Sequence, residues 1–305
     1  MTFFPEGKLI NTDKNKLFTS SLESLKEAEK KNIILEGTAV LCSMEHDITV
    51  RLSHKLFGII PRSEGALGIK EGSTKDIALI SRVGKPCCFC VTGFKETDGI
   101  ITPLLSRRKA QKLCMENYID TLAPGDVIPA KITHIEPFGA FCDIGCGIPS
   151  LIPIDLISVS RISHPSERFF IGQDIKAIVK KKEGERVYLS HKELLGTWEE
   201  NAALFSPGET VPGIVRSKEN YGVFVELAPN LAGLAEICPE AETGMRCSCY
   251  IKSIIPEKMK VKLIIIESSL QKEGEKGINY IFSGNHMDRW LYSPPSSKKV
   301  IETVF

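Results

Sequence analysis

Two pairs of aromatic residues stand at the same spacing in two places along the chain. Phe138 and Phe141 are separated by two small residues, and Tyr221 and Phe224 are separated in the same way 83 residues later. Polarity alternates around each phenylalanine, so a strand would turn the small apolar neighbours inward and the ring outward. An outward ring can stack on a flat ligand such as a nucleic acid base, at roughly 1–3 kcal/mol per base. The chemistry that this spacing predicts is stacking.

The aromatic pairs belong to a longer internal repeat. Residues 124–153 and 207–236 align without a gap, with seven identical positions that include the glycine after the first aromatic. The alternation predicts that Asp143 and Glu226 share the outer face with the phenylalanines. Chance rarely reproduces both a glycine and an outward aromatic at one fixed offset, so the pattern indicates two copies of one structural unit.

The repeated pattern resembles the S1 RNA-binding domain. An aromatic-Gly-small-Phe strand followed by a short glycine-rich link is typical of that family, and residues 184–190 resemble its closing strand. Residues 105–110 resemble the end of the first domain in the ribosomal protein S1 family. The chain is most similar to a short bacterial homologue in that family. The resemblance implies an all-β chain of three tandem five-stranded OB-fold barrels, joined by short helices, with a short N-terminal helix and a C-terminal tail.

On this basis we expect five segments. They are an N-terminal segment (1–33), a divergent first barrel (34–121), a second barrel (122–206), a third barrel (207–266) and a C-terminal tail (267–305).

Several short elements are predicted outside the barrels. Ser20 and Glu23 form a capping box that predicts a helix over 20–31, and further helices are expected within 108–121 and 192–204. In the tail, Asn279–Phe282 and Val300–Val304 are expected to be strands of a small hairpin docked on the third barrel.

The resemblance also implies which residues contact RNA: the outward aromatics and a basic residue on the closing strand. The candidates in the second barrel are Phe138, Phe141 and Arg186, with Lys131 and His134 as weaker ones. The candidates in the third barrel are Tyr221, Phe224, Lys260 and the nearby Lys218. A histidine frequent in the family is absent, because Pro61, Pro153 and Glu236 stand at or near its place.

The first barrel departs from the pattern. Residues 45–51, where the other two units carry the aromatic-Gly-x-Phe strand, contain no aromatic side chain. The first domain of the ribosomal family serves protein contact with the ribosome. The resemblance therefore implies a ribosome or ribosomal-protein partner for this barrel, and single-stranded RNA or mRNA for the other two.

Charge leaves two function classes open. The net charge of the chain is only +1, and residues 119–206 carry nine basic and twelve acidic side chains. An acidic second unit favours a protein-interaction scaffold that has lost most of its RNA affinity, whereas the repeated outward aromatics favour an RNA-binding protein. We take RNA binding as the primary hypothesis.

Enzymatic, metal and membrane roles find no support in the sequence. There is no P-loop, no nucleophile elbow and no repeated carboxylate cluster, so we expect no catalysis and no cofactor. An exoribonuclease fragment is disfavoured because the barrels use most of the chain. The ten cysteines lack the paired C-x-x-C spacing of zinc sites. They are interpreted as core thiols in a reducing cytoplasm, and no apolar run reaches membrane-spanning length.

Overall fold

The computed structural model describes residues 3–269 and 277–305. Three closed barrels of five strands follow one another along the chain. Each contains one parallel contact, between its third and its last strand, and in each the last strand pairs antiparallel with the fourth. This is the OB-fold arrangement, and it confirms the predicted fold class.

The strands have the following bounds. The first barrel contains β1 (Leu35–Cys42), β2 (Ile48–Arg51), β3 (Phe57–Ile60), β4 (Pro86–Thr97) and β5 (Ile100–Ser106). The second contains β6 (Val127–Glu136), β7 (Gly139–Asp143), β8 (Pro149–Pro153), β9 (Asp174–Glu183) and β10 (Arg186–Ser190). The third contains β11 (Thr210–Glu219), β12 (Gly222–Ala228), β13 (Leu231–Ala235), β14 (Arg246–Ile255) and β15 (Lys260–Ser269).

Alternation along the strands fills the barrel interiors. In the third barrel Val223 and Val225 are fully buried, as are Ile48 and Val50 in the first. The first strand crosses close to the second in both: a Cβ at Gly37 would lie 2.6 Å from Val50 Cγ1, and one at Gly213 would lie 2.4 Å from Val225 Cγ1. Only glycine permits that approach.

The helices are short: α1 (Asp13–Phe18), α2 (Leu22–Lys30), α3 (Ile77–Ile80), α4 (Arg107–Asn117) and α5 (Trp198–Ala202). The predicted capping box of α2 is wrong, because Ser21 caps the helix by accepting a hydrogen bond from the Ser24 amide. Helix α1 was not predicted. The helix predicted over 192–204 is shorter than expected, since Gly196 adopts φ +84° and separates a 3₁₀ turn from α5.

The tail contains one antiparallel pair, β16 (Arg289–Leu291) and β17 (Glu302–Val304). The predicted strand at Asn279–Phe282 is wrong, because that stretch has no ladder partner. Trp290 and Tyr292 are buried in the hydrophobic cluster of the third barrel, so side-chain burial anchors the tail there.

The chain divides into two compact units. The first comprises Met1–Leu122, Pro129–Lys131 and Asp143–Pro149, and the second comprises the rest. Within the described residues, no helix is both long and apolar enough to cross a membrane.

A buried ion-pair network holds the first unit together. The Glu6 carboxylate lies 2.7 Å from Arg107 Nε and 2.5 Å from Arg82 Nη1, and it accepts the Cys88 amide at 3.1 Å. The Glu6 amide in turn donates to Asp143 Oδ2 at 2.7 Å. The arginines offset the cost of burying Glu6 and keep its pKa lowered, against the desolvation that would raise it.

One buried amide ties several segments of the second unit together. The side chain of Asn230 accepts the Val159 amide at 3.0 Å and donates to the carbonyls of Lys192 and Gly196 at 2.7 and 2.8 Å. Its backbone carbonyl accepts the Tyr292 hydroxyl at 2.7 Å. Every polar group of this fully buried side chain has a partner, as burial requires.

Candidate nucleic-acid interface

The two aromatic pairs adopt the same geometry. The rings of Phe138 and Phe141 meet edge to face, with centroids 6.0 Å apart and planes at 87°. Those of Tyr221 and Phe224 meet at 6.2 Å and 88°. Phe138 is 56% exposed and Tyr221 is 66% exposed, while each phenylalanine behind is half-buried. Each pair therefore presents one free ring supported by a second, a favoured aromatic arrangement.

The glycine between the rings sets this geometry. A Cβ at Gly139 would lie 2.5 Å from the Ile152 carbonyl oxygen, and one at Gly222 would lie 2.5 Å from that of Ala235. Only glycine lets the strand start directly against its neighbour. The preceding aromatic is thereby held at the strand end.

A row of side chains crosses the outer face of the third barrel behind Phe224. Phe224 on β12 pairs with Leu234 on β13, which pairs with Lys262 on β15. Lys260 lies two residues earlier on β15 and is exposed on the same face. The structure thus places the predicted Lys260 near the row and adds Lys262. Alternation from Lys260 could have predicted Lys262.

The second barrel has a corresponding row. Leu151 on β8 pairs with Tyr188 on β10, and the predicted Arg186 is exposed two residues before that tyrosine. Lys181 Nζ lies 4.8 Å from the centroid of the Tyr188 ring. Tyr188 and Lys181 were missed, although the period of two that selected Arg186 also selects Tyr188.

The three remaining candidates, Lys131, His134 and Lys218, have partners of their own. The ring of His134 lies 6.2 Å from that of Phe141, and its Nε2 is 2.7 Å from Glu136 Oε1. Lys131 Nζ donates to the Glu6 carbonyl at 2.9 Å, within the first unit. Lys218 Nζ donates to the Pro239 carbonyl at 2.8 Å. His134 is therefore close to an aromatic pair, whereas the two lysines bind backbone carbonyls.

The two acidic residues on the predicted outer face, Asp143 and Glu226, are buried. Asp143 is 3% exposed and accepts the amides of Glu6, Gly145 and Gly147. Burial, together with the nearby charge of Glu6, raises the pKa of Asp143 to about 6. Alternation gave their face of the strand correctly, but other segments of the chain cover that face.

Glu226 is covered in the second unit by a different partner. It is 5% exposed and binds Arg216, with Nε 2.8 Å from Oε2, and also Arg168. Arg216 pairs in addition with Glu167. Burial lowers the pKa of Arg168 against the raising effect of Glu226. Arg168 therefore belongs to a buried ion-pair cluster and not to an open basic surface.

The first barrel carries different side chains at the same places. Thr49 on β2 pairs with Ile59 on β3, which pairs with Leu104 on β5. These are the strand positions of Phe224, Leu234 and Lys262 in the third barrel. The outer row of the first barrel thus carries no ring and no charge. Beside it on the same face, Phe57 is 43% exposed at the start of β3 and pairs with the exposed Arg51 on β2.

The cysteines lie in strands, in loops and, for Cys114, in helix α4, as reduced thiols. All ten are free, and eight of them are buried. Cys247 and Cys249 lie side by side in the third barrel, with their Sγ atoms 3.3 Å apart. Across residues 3–269 and 277–305, no group of three or more metal-ligating side chains is arranged to hold a metal ion.

Comparison with known proteins gives a family match for the second barrel. Residues 121–192 match the family described as the S1 RNA binding domain. Small ribosomal subunit protein bS1 of Staphylococcus aureus (strain COL) is 34% identical over 164 residues, 49% of this chain and 42% of that protein. The Staphylococcus epidermidis protein of the same name is 36% identical over 141 residues, 44% of this chain and 36% of that protein. These matches confirm the resemblance predicted from the motifs, over less than half the length of the relatives.

Among solved structures, a multidomain protein with nucleic acid binding domains from Streptococcus pneumoniae covers 78% of this chain and 74% of its own. Its TM-score is 0.25 and its identity 13%, values too low to support any functional argument.

Proposed function

We propose that this chain is a non-enzymatic RNA-binding protein that holds single-stranded RNA on the outer faces of its second and third barrels. The observation that carries the proposal is the repeated edge-to-face pair, Phe138 with Phe141 and Tyr221 with Phe224. One exposed ring on a protein surface is ordinary, but the same pair of rings recurs at the same place in two barrels, and outward rings on this face of an OB-fold suit base stacking.

Stacking supplies most of the affinity in this proposal. A base lies on the exposed ring of Phe138 or Tyr221, and the phenylalanine behind fixes that ring before the base arrives. Basic side chains beside the rows neutralise phosphates: Arg186 and Lys181 in the second barrel, and Lys260 and Lys262 in the third. Because stacking tolerates any base, we expect little sequence preference.

We further propose that the RNA is mRNA and that the protein works with the ribosome. The curated relatives are named as proteins of the small ribosomal subunit. The outer row of the first barrel suits a protein surface better than a nucleic acid, since Thr49, Ile59 and Leu104 themselves carry neither a ring nor a cation. This barrel is therefore proposed to contact the ribosome or a ribosomal protein. Ten free thiols fit a reducing cytoplasm.

A second candidate is a protein-interaction scaffold. It is favoured by the excess of acidic side chains between residues 119 and 206, which repels phosphates. In that case the exposed rings of Phe138 and Tyr221 are docking sites for a protein partner.

Fluorescence anisotropy with a labelled single-stranded RNA separates the two. The doubly substituted protein Phe138→Ala/Phe141→Ala should bind RNA more weakly than wild type, with an unchanged circular dichroism spectrum because the first ring is exposed. Phe57→Ala removes a comparably exposed ring from the first barrel and is the matched control. Equal RNA affinity of wild type and the double variant would favour the scaffold.

A further inference from the structure

A large cleft lies within the second compact unit. It has a volume of about 810 Å³, within the range of about 300–1,000 Å³ that is typical of ligand sites. The loop around residues 166–173 of the second barrel forms one wall, and β11 and β12 of the third barrel form the floor. Nothing in the proposed stacking on the aromatic pairs uses this space.

The floor of the cleft continues the surface that carries Phe224. Glu226 follows Phe224 by two residues on β12 and shares its face. Glu226 pairs with Ile214 on β11, which pairs with Arg246 on β14. A chain lying on Phe224 and crossing these strands therefore runs into the cleft.

The lining has the chemistry of a nucleotide site. Three arginines (Arg168, Arg216, Arg246) and two glutamates (Glu167, Glu226) line it, which leaves one net positive charge. Arg168 and Arg216 are held by Glu226. Arg246 is only partly buried on the floor.

The wall supplies an aromatic ring. Phe170 is 43% exposed, whereas its neighbour Phe169 is 2% exposed and packs edge to face on His191 at 5.0 Å. The amide of Phe170 donates to Gln173 Oε1 at 3.1 Å, which fixes the loop that presents the ring. An exposed aromatic side chain on a fixed loop, in a cleft that an arginine also lines, suits a base and its phosphate.

We propose that this cleft binds additional nucleotides of the same single-stranded RNA, beyond those stacked on Tyr221 and Phe224. Phe170 stacks a base and Arg246 neutralises a phosphate. This inference rests on the proposed function, because the cleft extends that RNA path and is not an independent site.

The test uses the full chain and a series of labelled oligouridines from about 4 to about 16 nucleotides, the span of OB-fold site sizes. Phe170→Ala should lower the affinity for the longest RNA by about fivefold or more, the lower end of the stacking range. It should leave the shortest RNA unaffected. Arg246→Gln should reduce the log–log salt slope for the longest RNA by about 0.7, the contribution of one phosphate. Ile171→Ala is the matched control, since Ile171 is 63% exposed beside Phe170 but does not line the cleft.

The outcomes separate this inference from the proposed function. If Phe141→Ala/Phe224→Ala weakens binding but Phe170→Ala matches wild type at every length, the cleft is not on the RNA path. An equal loss at all lengths would also overturn the extension. If ribosome association falls in Phe170→Ala while RNA affinity is unchanged, the cleft takes a protein and the proposal is wrong. Thermal melting checks that each variant is folded.

Discussion

The first and third barrels share one strand topology and differ in what their outer rows carry. Thr49, Ile59 and Leu104 in the first barrel stand where the third has Phe224, Leu234 and Lys262. The interior positions are alike, with small and branched apolar residues in both. The inner face thus specifies the barrel, while the outer face is free to change chemistry. We infer that a ring and a cation in this row make one face suitable for RNA, and that an uncharged row without a ring makes the other suitable for protein.

The strongest test of this difference removes one ring from each RNA-facing barrel. Phe138→Ala with Tyr221→Ala should weaken single-stranded RNA binding by roughly 2–6 kcal/mol, because two stacking sites are lost at roughly 1–3 kcal/mol each. Anisotropy titration of the full chain measures it. Phe57→Ala and Ile59→Ala in the first barrel should leave RNA affinity unchanged. A comparable loss from either control would mean that the barrels do not divide their ligands in this way.

The converse experiment gives the first barrel the outer row of the third. Thr49→Phe with Leu104→Lys places a ring and a cation on paired strands. We expect RNA affinity to rise by roughly 1–3 kcal/mol, the value of one stacked base, and binding to ribosomes to fall. Leu104→Lys alone, as the control, should give a smaller gain. If the double substitution does nothing, a ring and a cation on this face are insufficient and the adjacent strand end, where His46 replaces Tyr221, is also required.

A smaller effect on RNA binding is expected from replacing the lysines on β15. With about two phosphate contacts in each RNA-facing barrel, the log–log salt slope of wild-type binding should be roughly −2 to −3. Lys260→Gln with Lys262→Gln should bring it closer to zero by about 1.4, at about 0.7 per phosphate. Affinity across a salt series is the measurement, with Lys258→Gln on the preceding turn as control. A wild-type slope much steeper than this would point to another basic surface and reduce the share of the rings.

The smallest expected effect on RNA is that of Asp143, which shares a strand face with Phe141 but is buried. Asp143→Asn should leave RNA affinity unchanged and alter the pH dependence of stability instead. The folded protein holds its proton up to a pKa of about 6, against an ordinary value of 3.8. The stability that protonation contributes is therefore present below about pH 4 and is lost as the pH rises to about 6.

Melting temperatures measured across that pH range test the predicted direction of the change in stability. Wild type should lose more stability than Asp143→Asn between about pH 4.5 and about pH 7. Burial raises the pKa of Glu36 to about 7, which acts in the same direction in both proteins and cancels in the comparison. Identical pH profiles would show that Asp143 does not titrate in this window, and reduced RNA affinity of the variant would put the residue on the binding face after all.

Much of the site was predictable because it is local. A glycine between two aromatics and a period of two fix which side chains share a strand face, so Phe138, Phe141, Tyr221 and Phe224 could be identified from spacing alone. The same period pointed to Tyr188 and Lys262. Neither was predicted, because the family pattern marks only one basic position on the closing strand.

What could not be predicted depends on contacts distant in sequence. Asp143 and Glu226 lie on the outer face, as alternation requires, but segments 137 and 58 residues away in sequence cover them through Glu6 and Arg168. No periodicity contains that information. Arg168 likewise looks like a surface cation in the sequence, and its burial follows only from its pairing with a residue of the next barrel.

The hydrogen bonds of Asn230 have a consequence for how the second unit unfolds. Its one side chain bonds to the loop after β8, to the turn at Lys192 and to Gly196, while its carbonyl holds the tail through Tyr292. If any one of these segments opens, buried polar atoms in the others lose their hydrogen-bond partners. The two barrels and the tail should therefore unfold together and not independently. Their slowest amide hydrogens should then exchange with a common free energy of opening.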